Sequence, residues 1–149
     1  MTSMDKRELS SKYDFERCEF FAADFAAQYP NVEHAIVNGE DFEWTGKLRP
    51  CVSGPSEAKV RERQVSKSEL NADNLLMQIK QENLQGNPGV YLNWGDCSCM
   101  VKVSYDSFVC CDKVIDIAWN PVADDLDIII PHHFVYCLDH HDHIWYQSL

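Results

Sequence analysis

The C-terminal stretch of the chain concentrates the side chains that can do chemistry. Five of the six histidines lie there, interleaved with one cysteine and two aspartates. These residues are His132, His133, His140, His141 and His143, with Cys137, Asp139 and Asp142 among them. Imidazole, thiolate and carboxylate groups bind transition metals and also serve as acids, bases and nucleophiles. The cluster therefore raises three hypotheses: a metal site, a catalytic site, or a surface that meets another protein.

A metal site is the first hypothesis. Zinc needs three or four donors at about 2.0 to 2.3 Å, and residues two apart on a strand share a face. A possible set is His133, Cys137, His141 and His143. The sequence has no HExxH motif, no CxxC pair and no zinc-finger spacing. We therefore expect neither a metal nor another cofactor, and a small metalloprotein using these four residues is the alternative.

Catalysis is the second hypothesis. Cys137 could serve as a nucleophile with His140 or His141 as base and Asp139 as the orienting group. Neighbouring strand residues point to opposite faces, which separates such groups. The sequence also lacks a GxSxG elbow, a Walker loop and a GxGxxG element. We therefore expect a protein that is not an enzyme, with no catalytic residues.

The charge of the chain narrows the class of partner. Thirteen Lys and Arg residues stand against twenty-four Asp and Glu residues, giving a net charge of -11. Lys113 is the last basic residue, and five aspartates come after Asp116. Such a balance disfavours nucleic acid and anionic lipid as ligands. It favours a cationic protein as the partner.

The same C-terminal region is rich in aromatic residues. Aromatic side chains supply contact area at protein interfaces, and carboxylates steer a cationic partner toward them. Asp124 and Asp125, with Asp127 two residues beyond, lie where a loop enters a predicted strand, which suits a solvated surface better than acid–base catalysis. The residues that we expect to meet the partner are Asp116, Asp124, Asp125, Asp127, Asp139, Asp142, His140, His141, His143, Trp145 and Tyr146.

The cysteines and the N-terminus indicate the cytoplasm. No apolar segment follows Lys6 and Arg7, and no run of about eighteen apolar residues occurs that could span a bilayer. Seven cysteines is an odd number, and their spacing does not suggest a secreted disulfide scaffold. We expect reduced thiols and a cytoplasmic protein.

The periodicity of apolar residues predicts an α+β fold. An amphipathic helix is expected from Asp14, as its N-cap, to Tyr29, after about ten frayed residues, and a second from Ser68 or Asn71 to Gln85. The apolar stripe of the first helix would comprise Phe15, Cys18, Phe21, Ala22, Phe25 and Ala26. Extended segments are expected at residues 35–37, 41–52, 59–67, 90–94, 97–105, 107–113, 114–119, 126–130, 133–138 and 143–147. Together they predict one domain over residues 1–149, a twisted antiparallel sheet of about five to seven strands with two helices packed against it.

The size, acidity and lack of catalytic motifs give a profile that resembles the immunity proteins, which neutralise bacterial toxins. That resemblance implies a non-enzymatic inhibitor that binds a basic, nuclease-like toxin domain and presents carboxylates where phosphates would lie. It is a likeness of composition alone, and it assigns no residue a role. An adaptor for a stress or phage system is a further hypothesis from the same profile.

Overall fold

The computed structural model describes residues 6–38, 63–65, 72–95, 98–120, 125–139 and 144–148. Two longer helices and two short ones occur in this part of the chain: α1 (Lys6–Gln28), α2 (Ala72–Gln81), α3 (Tyr105–Phe108) and α4 (Val114–Ala118). The seven strands are β1 (Ala35–Asn38), β2 (Arg63–Val65), β3 (Gly89–Asn93), β4 (Cys99–Ser104), β5 (Leu126–Ile130), β6 (Phe134–Leu138) and β7 (Ile144–Ser148). No helix within these ranges is both long and apolar enough to cross a membrane.

The strands form one antiparallel sheet in the order β1-β4-β3-β5-β6-β7-β2. Consecutive strands pair in the β3–β4 hairpin and in the β5–β6–β7 meander, and β5 joins the two by pairing with β3. The α+β fold and the antiparallel sheet predicted from the sequence are confirmed. Among the described strands, β2 pairs with β7 alone and so lies at one edge of the sheet.

The segment between β4 and β5 differs from its prediction. Residues 107–113 and 114–119 were expected to be strands because they are rich in β-branched and aromatic residues, yet they form turns and the helices α3 and α4. The Ser104 hydroxyl accepts a hydrogen bond from the Ser107 amide (3.4 Å) and so caps α3. Val114, Ile115 and Ala118 are buried at helical spacing. Tertiary packing of that spacing outweighs the strand propensity of valine and isoleucine.

Helix α1 begins at Lys6, two turns before the predicted start. It packs against β4 and α4 through Cys18, Phe21 and Phe25, which are fully buried or nearly so. Asp14 occupies the next position along this stripe and is 1% exposed, so it is an interior residue and does not cap the helix. Phe15, predicted to lie on the stripe, is 49% exposed.

The hydrophobic core lies between the helices and one face of the sheet. Alternate strand residues face it, among them Leu92 in β3, Val101 in β4 and Ile128 in β5. The central strands β5 and β6 are buried at every position. Such burial on both faces explains their nearly continuous apolar sequences. The Tyr105 hydroxyl donates to the Ile79 carbonyl (2.5 Å) and ties α3 to the end of α2.

Candidate partner-binding surface

The predicted interface residues divide between the surface and the interior. Asp116 is exposed on α4, and Asp125 is half-buried just before β5. Asp127 is 0% exposed and Asp139 is 7% exposed, so neither belongs to the outer surface. Asp124, His140, His141, Asp142 and His143 lie outside the described residues. Among the predicted aspartates in the described ranges, only Asp116 is fully on the surface.

Asp127 is buried and accepts a hydrogen bond within the sheet. It pairs in register with Asn93 of β3, whose side-chain amide donates to the Asp127 carboxylate (3.0 Å) in the interior of the sheet. The same amide also donates to the Gly95 carbonyl (3.1 Å). A buried carboxylate is costly unless it accepts hydrogen bonds. Asp127 thus joins β5 to the β3–β4 loop and is not available to a partner.

Tyr146 packs mainly within the protein. Its ring lies 5.1 Å from that of Tyr136 and 6.1 Å from that of Phe134, measured between centroids. Trp145 is placed in β7 by its register with Cys137 and Gln64, while its side chain is outside the described part of the structure. Tyr146 is therefore an aromatic of the core boundary and not an exposed anchor.

His132 and His133 lie in the turn that leads into β6. His132 has a φ of 69°, a left-handed conformation that histidine adopts more readily than most residues, and the His133 amide donates to the Ile130 carbonyl (3.0 Å). Cys137 lies four residues further, which along a strand is roughly 13 Å. No group of three or more His, Cys, Asp or Glu side chains suited to a metal occurs in the described ranges. His141 and His143, the other members of the alternative metal set, lie beyond those ranges.

Asp14 is a second buried carboxylate. The sequence analysis predicts it as a helix N-cap and does not predict its place in the interior. The Ser98 hydroxyl donates to Asp14 Oδ2 (2.8 Å), which ties α1 to the start of β4. The carboxylate lies so close to Gly95 that a Cβ atom there would overlap Asp14 Oδ1. The signal was present in the sequence, because Asp14 continues the Cys18, Phe21 and Phe25 stripe at helical spacing.

The thiols beside Asp14 have low reactivity. Burial raises the pKa of Cys18 and of Cys99, and the negative charge of Asp14 raises both further. The Cys18 thiol also donates a hydrogen bond to Cys99. Burial likewise raises the pKa of Cys111. A protonated thiol is a poor nucleophile and a poor metal ligand, so these cysteines behave as small core residues.

Exposed acids line the connection between β4 and β5. Asp106, Asp112 and Asp116 are all exposed, beside a single exposed base, Lys113. The Tyr29 hydroxyl donates to Asp112 (2.8 Å) and accepts from the Lys113 amide (2.8 Å), which fixes this connection to the end of α1. We call Asp106, Asp112 and Asp116 the acidic crossover. Its three carboxylates are exposed, and the hydrogen bonds of Tyr29 hold its central residue, Asp112, in place.

The solvent side of α1 carries large aromatic residues. Phe20 is 63% exposed and Tyr13 is 46% exposed. Glu16 and Asp24 stand one turn before and one turn after Phe20, and both are exposed. Side chains three, four and seven residues apart share a helix face. The helix therefore presents aromatic and acidic groups together, away from its buried stripe.

An open groove of about 820 Å³ lies beside β1, between His34, Lys102, Asn87 and Ser104. Two of its polar groups already have internal partners. The Asn87 side-chain oxygen accepts from the Asp106 amide (2.8 Å), and Ser104 caps α3. The Lys102 ammonium lies 5.7 Å from the centre of the Tyr91 ring. The polar groups at Asn87 and Ser104 thus take part in holding the fold around the groove.

A scan of the chain against protein-family models found no match. A comparison with curated protein sequences also found none. Nor did a comparison with solved structures find one.

Proposed function

We propose that this protein is a non-enzymatic inhibitor of the immunity type, which binds and neutralises a cationic, nuclease-like toxin domain. The observation that carries the proposal is the net charge of -11, with no basic residue after Lys113. A nuclease must attract a polyanion, so its active-site surface is basic. An acidic protein of matching shape competes for the same surface.

The acidic crossover supports the proposal on the described surface. Asp112 is held by the Tyr29 hydroxyl, and Asp116 stands on α4, whose other side is buried. Carboxylates on elements that are already held by hydrogen bonds and packing attract a cationic partner with less ordering on binding. Such groups mainly raise the association rate and make it depend on salt.

The state of the cysteines is compatible with action in the cytoplasm. Cys18, Cys99, Cys110 and Cys111 are reduced in the structure, although Cys110 and Cys111 are adjacent. Reduced thiols persist where glutathione and thioredoxin operate. An immunity protein in the cytoplasm would meet the toxin in the cell that makes it.

The test is protection of growing bacteria. The chain is co-expressed with basic nuclease toxin domains, beginning with any toxin encoded next to it, and colony formation is counted. We expect rescue from one of these toxins. The matched control is an Asp112→Asn and Asp116→Asn double variant, which should rescue less well at equal expression. Failure of the chain to rescue cells from any toxin in the set would contradict the proposal.

A further inference from the structure

We propose that the solvent side of α1 is a docking surface for an amphipathic basic segment of a partner protein. We define the outer face of α1 as Tyr13, Glu16, Phe20, Asp24 and Ala27. The charge assigned to the partner rests on the proposed function. The location does not, because it follows from the exposure of these residues on one helix.

Phe20 is the centre of this face. It is 63% exposed, whereas its neighbour Phe21 is 1% exposed in the core. Leaving a phenylalanine ring in water forgoes the free energy that burial of its apolar surface would release. Aromatic residues of this kind are enriched among the side chains that dominate binding energy at interfaces.

The residues around Phe20 complete the surface. Tyr13 lies two turns before it and is 46% exposed, while Ala27 lies two turns after it and is small enough for close approach. Glu16 and Asp24 flank the ring at four residues on either side. Lys12 lies 3.9 Å from Glu16, but both side chains are more than half exposed, and such an ion pair contributes little. The face thus offers an aromatic centre with a carboxylate at each end.

The negative charge of the chain favours a basic partner segment over a second copy of the chain at this face. A second copy of this protein would bring another net charge of -11 to the contact, and two acidic surfaces repel each other. A segment with an apolar stripe flanked by Lys or Arg matches both components of the face. Phe20 and Tyr13 would bury the stripe, and Glu16 and Asp24 would meet the cations.

The test uses the full chain and a fluorescent helical peptide of lysine and leucine, with its glutamate and leucine counterpart as the charge control. Affinity is measured by fluorescence anisotropy. We expect the lysine peptide to bind and the glutamate peptide not to bind. The Phe20→Ser variant should weaken binding at least about tenfold, the loss typical of an interface anchor. Asp24→Asn should weaken it less and reduce its salt dependence.

The matched control is Met77→Ser, because Met77 is 59% exposed and lies on a different helix, α2. It should leave the affinity for the lysine peptide unchanged, with all variants checked for fold by circular dichroism. Equal losses for Phe20→Ser and Met77→Ser, no loss for either, equal binding of the two peptides, or no binding of the lysine peptide would overturn the proposal. Sedimentation that shows a dimer abolished by Phe20→Ser would do so as well, since a second copy would then be the occupant.

The growth assay separates this inference from the proposed function. Loss of rescue with Phe20→Ser, but not with Met77→Ser, is expected if both hold. Rescue that survives Phe20→Ser would retain the inhibitor and reject this surface. Peptide binding through Phe20 without rescue by the wild-type chain would retain the surface and reject the inhibitor.

Discussion

The carboxylate of Asp14 on α1 occupies the space that a side chain at Gly95 would need. The contact joins the first helix to the loop between β3 and β4, and the Ser98 hydroxyl holds the same carboxylate from the start of β4 (2.8 Å). The Asn93 side chain donates to the Gly95 carbonyl, accepts from the Gly95 amide and also donates to the Asp127 carboxylate. Two buried carboxylates, far apart in sequence, therefore fix one loop.

Gly95→Ala should destabilise the protein because its methyl group would displace the Asp14 carboxylate. Overpacking of this kind costs about 1 to 3 kcal/mol. The control is Gly86→Ala, where the backbone has a φ of 80° but nothing lies within 4 Å, so only the backbone cost of about 1 to 2 kcal/mol applies. Urea unfolding of both variants, of Asp14→Ala, and of the Gly95→Ala and Asp14→Ala double variant measures the effect. If the Gly95 and Asp14 costs are simply additive, the proposed contact does not exist.

Alkylation should discriminate among the cysteines. Cys110 is exposed, whereas Cys18, Cys99 and Cys111 are buried with raised pKa values. Iodoacetamide requires an accessible thiolate, so among these four residues the folded protein should be modified first at Cys110. Peptide mass spectrometry after short exposure reads out the order. Early modification of Cys18 or Cys99 would contradict the packing of α1 on β4.

Stability should fall in alkaline solution. Burial raises the pKa of Cys18 and Cys99 in the folded state, so the native thiols keep protons that the unfolded chain releases above about pH 8.5. Since the unfolded state then binds fewer protons, the free energy of unfolding decreases as pH rises. The urea midpoint should drop between about pH 8 and pH 10, and Cys18→Ala should reduce the drop more than Cys110→Ala. Equal drops in these two variants would show that the Cys18 thiol does not contribute.

Substitution should destabilise the protein much more at a buried aspartate than at an exposed one. Asp127→Ala removes one of the buried acceptors of the Asn93 amide and should cost about 1 to 3 kcal/mol of stability. Asp116→Asn, at an exposed position, should change stability by less than about 0.5 kcal/mol. Thermal unfolding compares the two variants directly. An equally mild effect of Asp127→Ala would mean that Asp127 is not the interior residue described above.

The sequence predicted the strands of the C-terminal sheet well because their apolar and aromatic residues repeat with a period of two and turn residues separate them. β5, β6 and β7 each begin within one residue of the predicted segment. It failed at α4, where Val114 and Ile115 favour a strand by type but are buried at helical spacing with Ala118. Strand propensity is a property of each residue alone, whereas the helix forms because it buries these side chains in the core.

The sequence predicted an acidic surface, but it did not predict which of the aspartates are exposed. Asp127 was placed on the surface because it follows two aspartates, and only the pairing of β3 with β5 reveals that it meets Asn93. The sequence shows that Phe20 lies off the stripe formed by Cys18, Phe21 and Phe25. It does not show that Phe20 is exposed, because exposure depends on which elements pack around the helix.

The most direct test of the inhibitor hypothesis is the dissociation constant between the purified chain and catalytically inactivated basic nuclease toxin domains. It should be measured by calorimetry at low and at physiological salt. We expect a one-to-one complex with one such domain, weaker at the higher salt and weakened again in the Asp112→Asn and Asp116→Asn double variant. Absence of binding to every domain at low salt, or an affinity that does not depend on salt, would contradict the account.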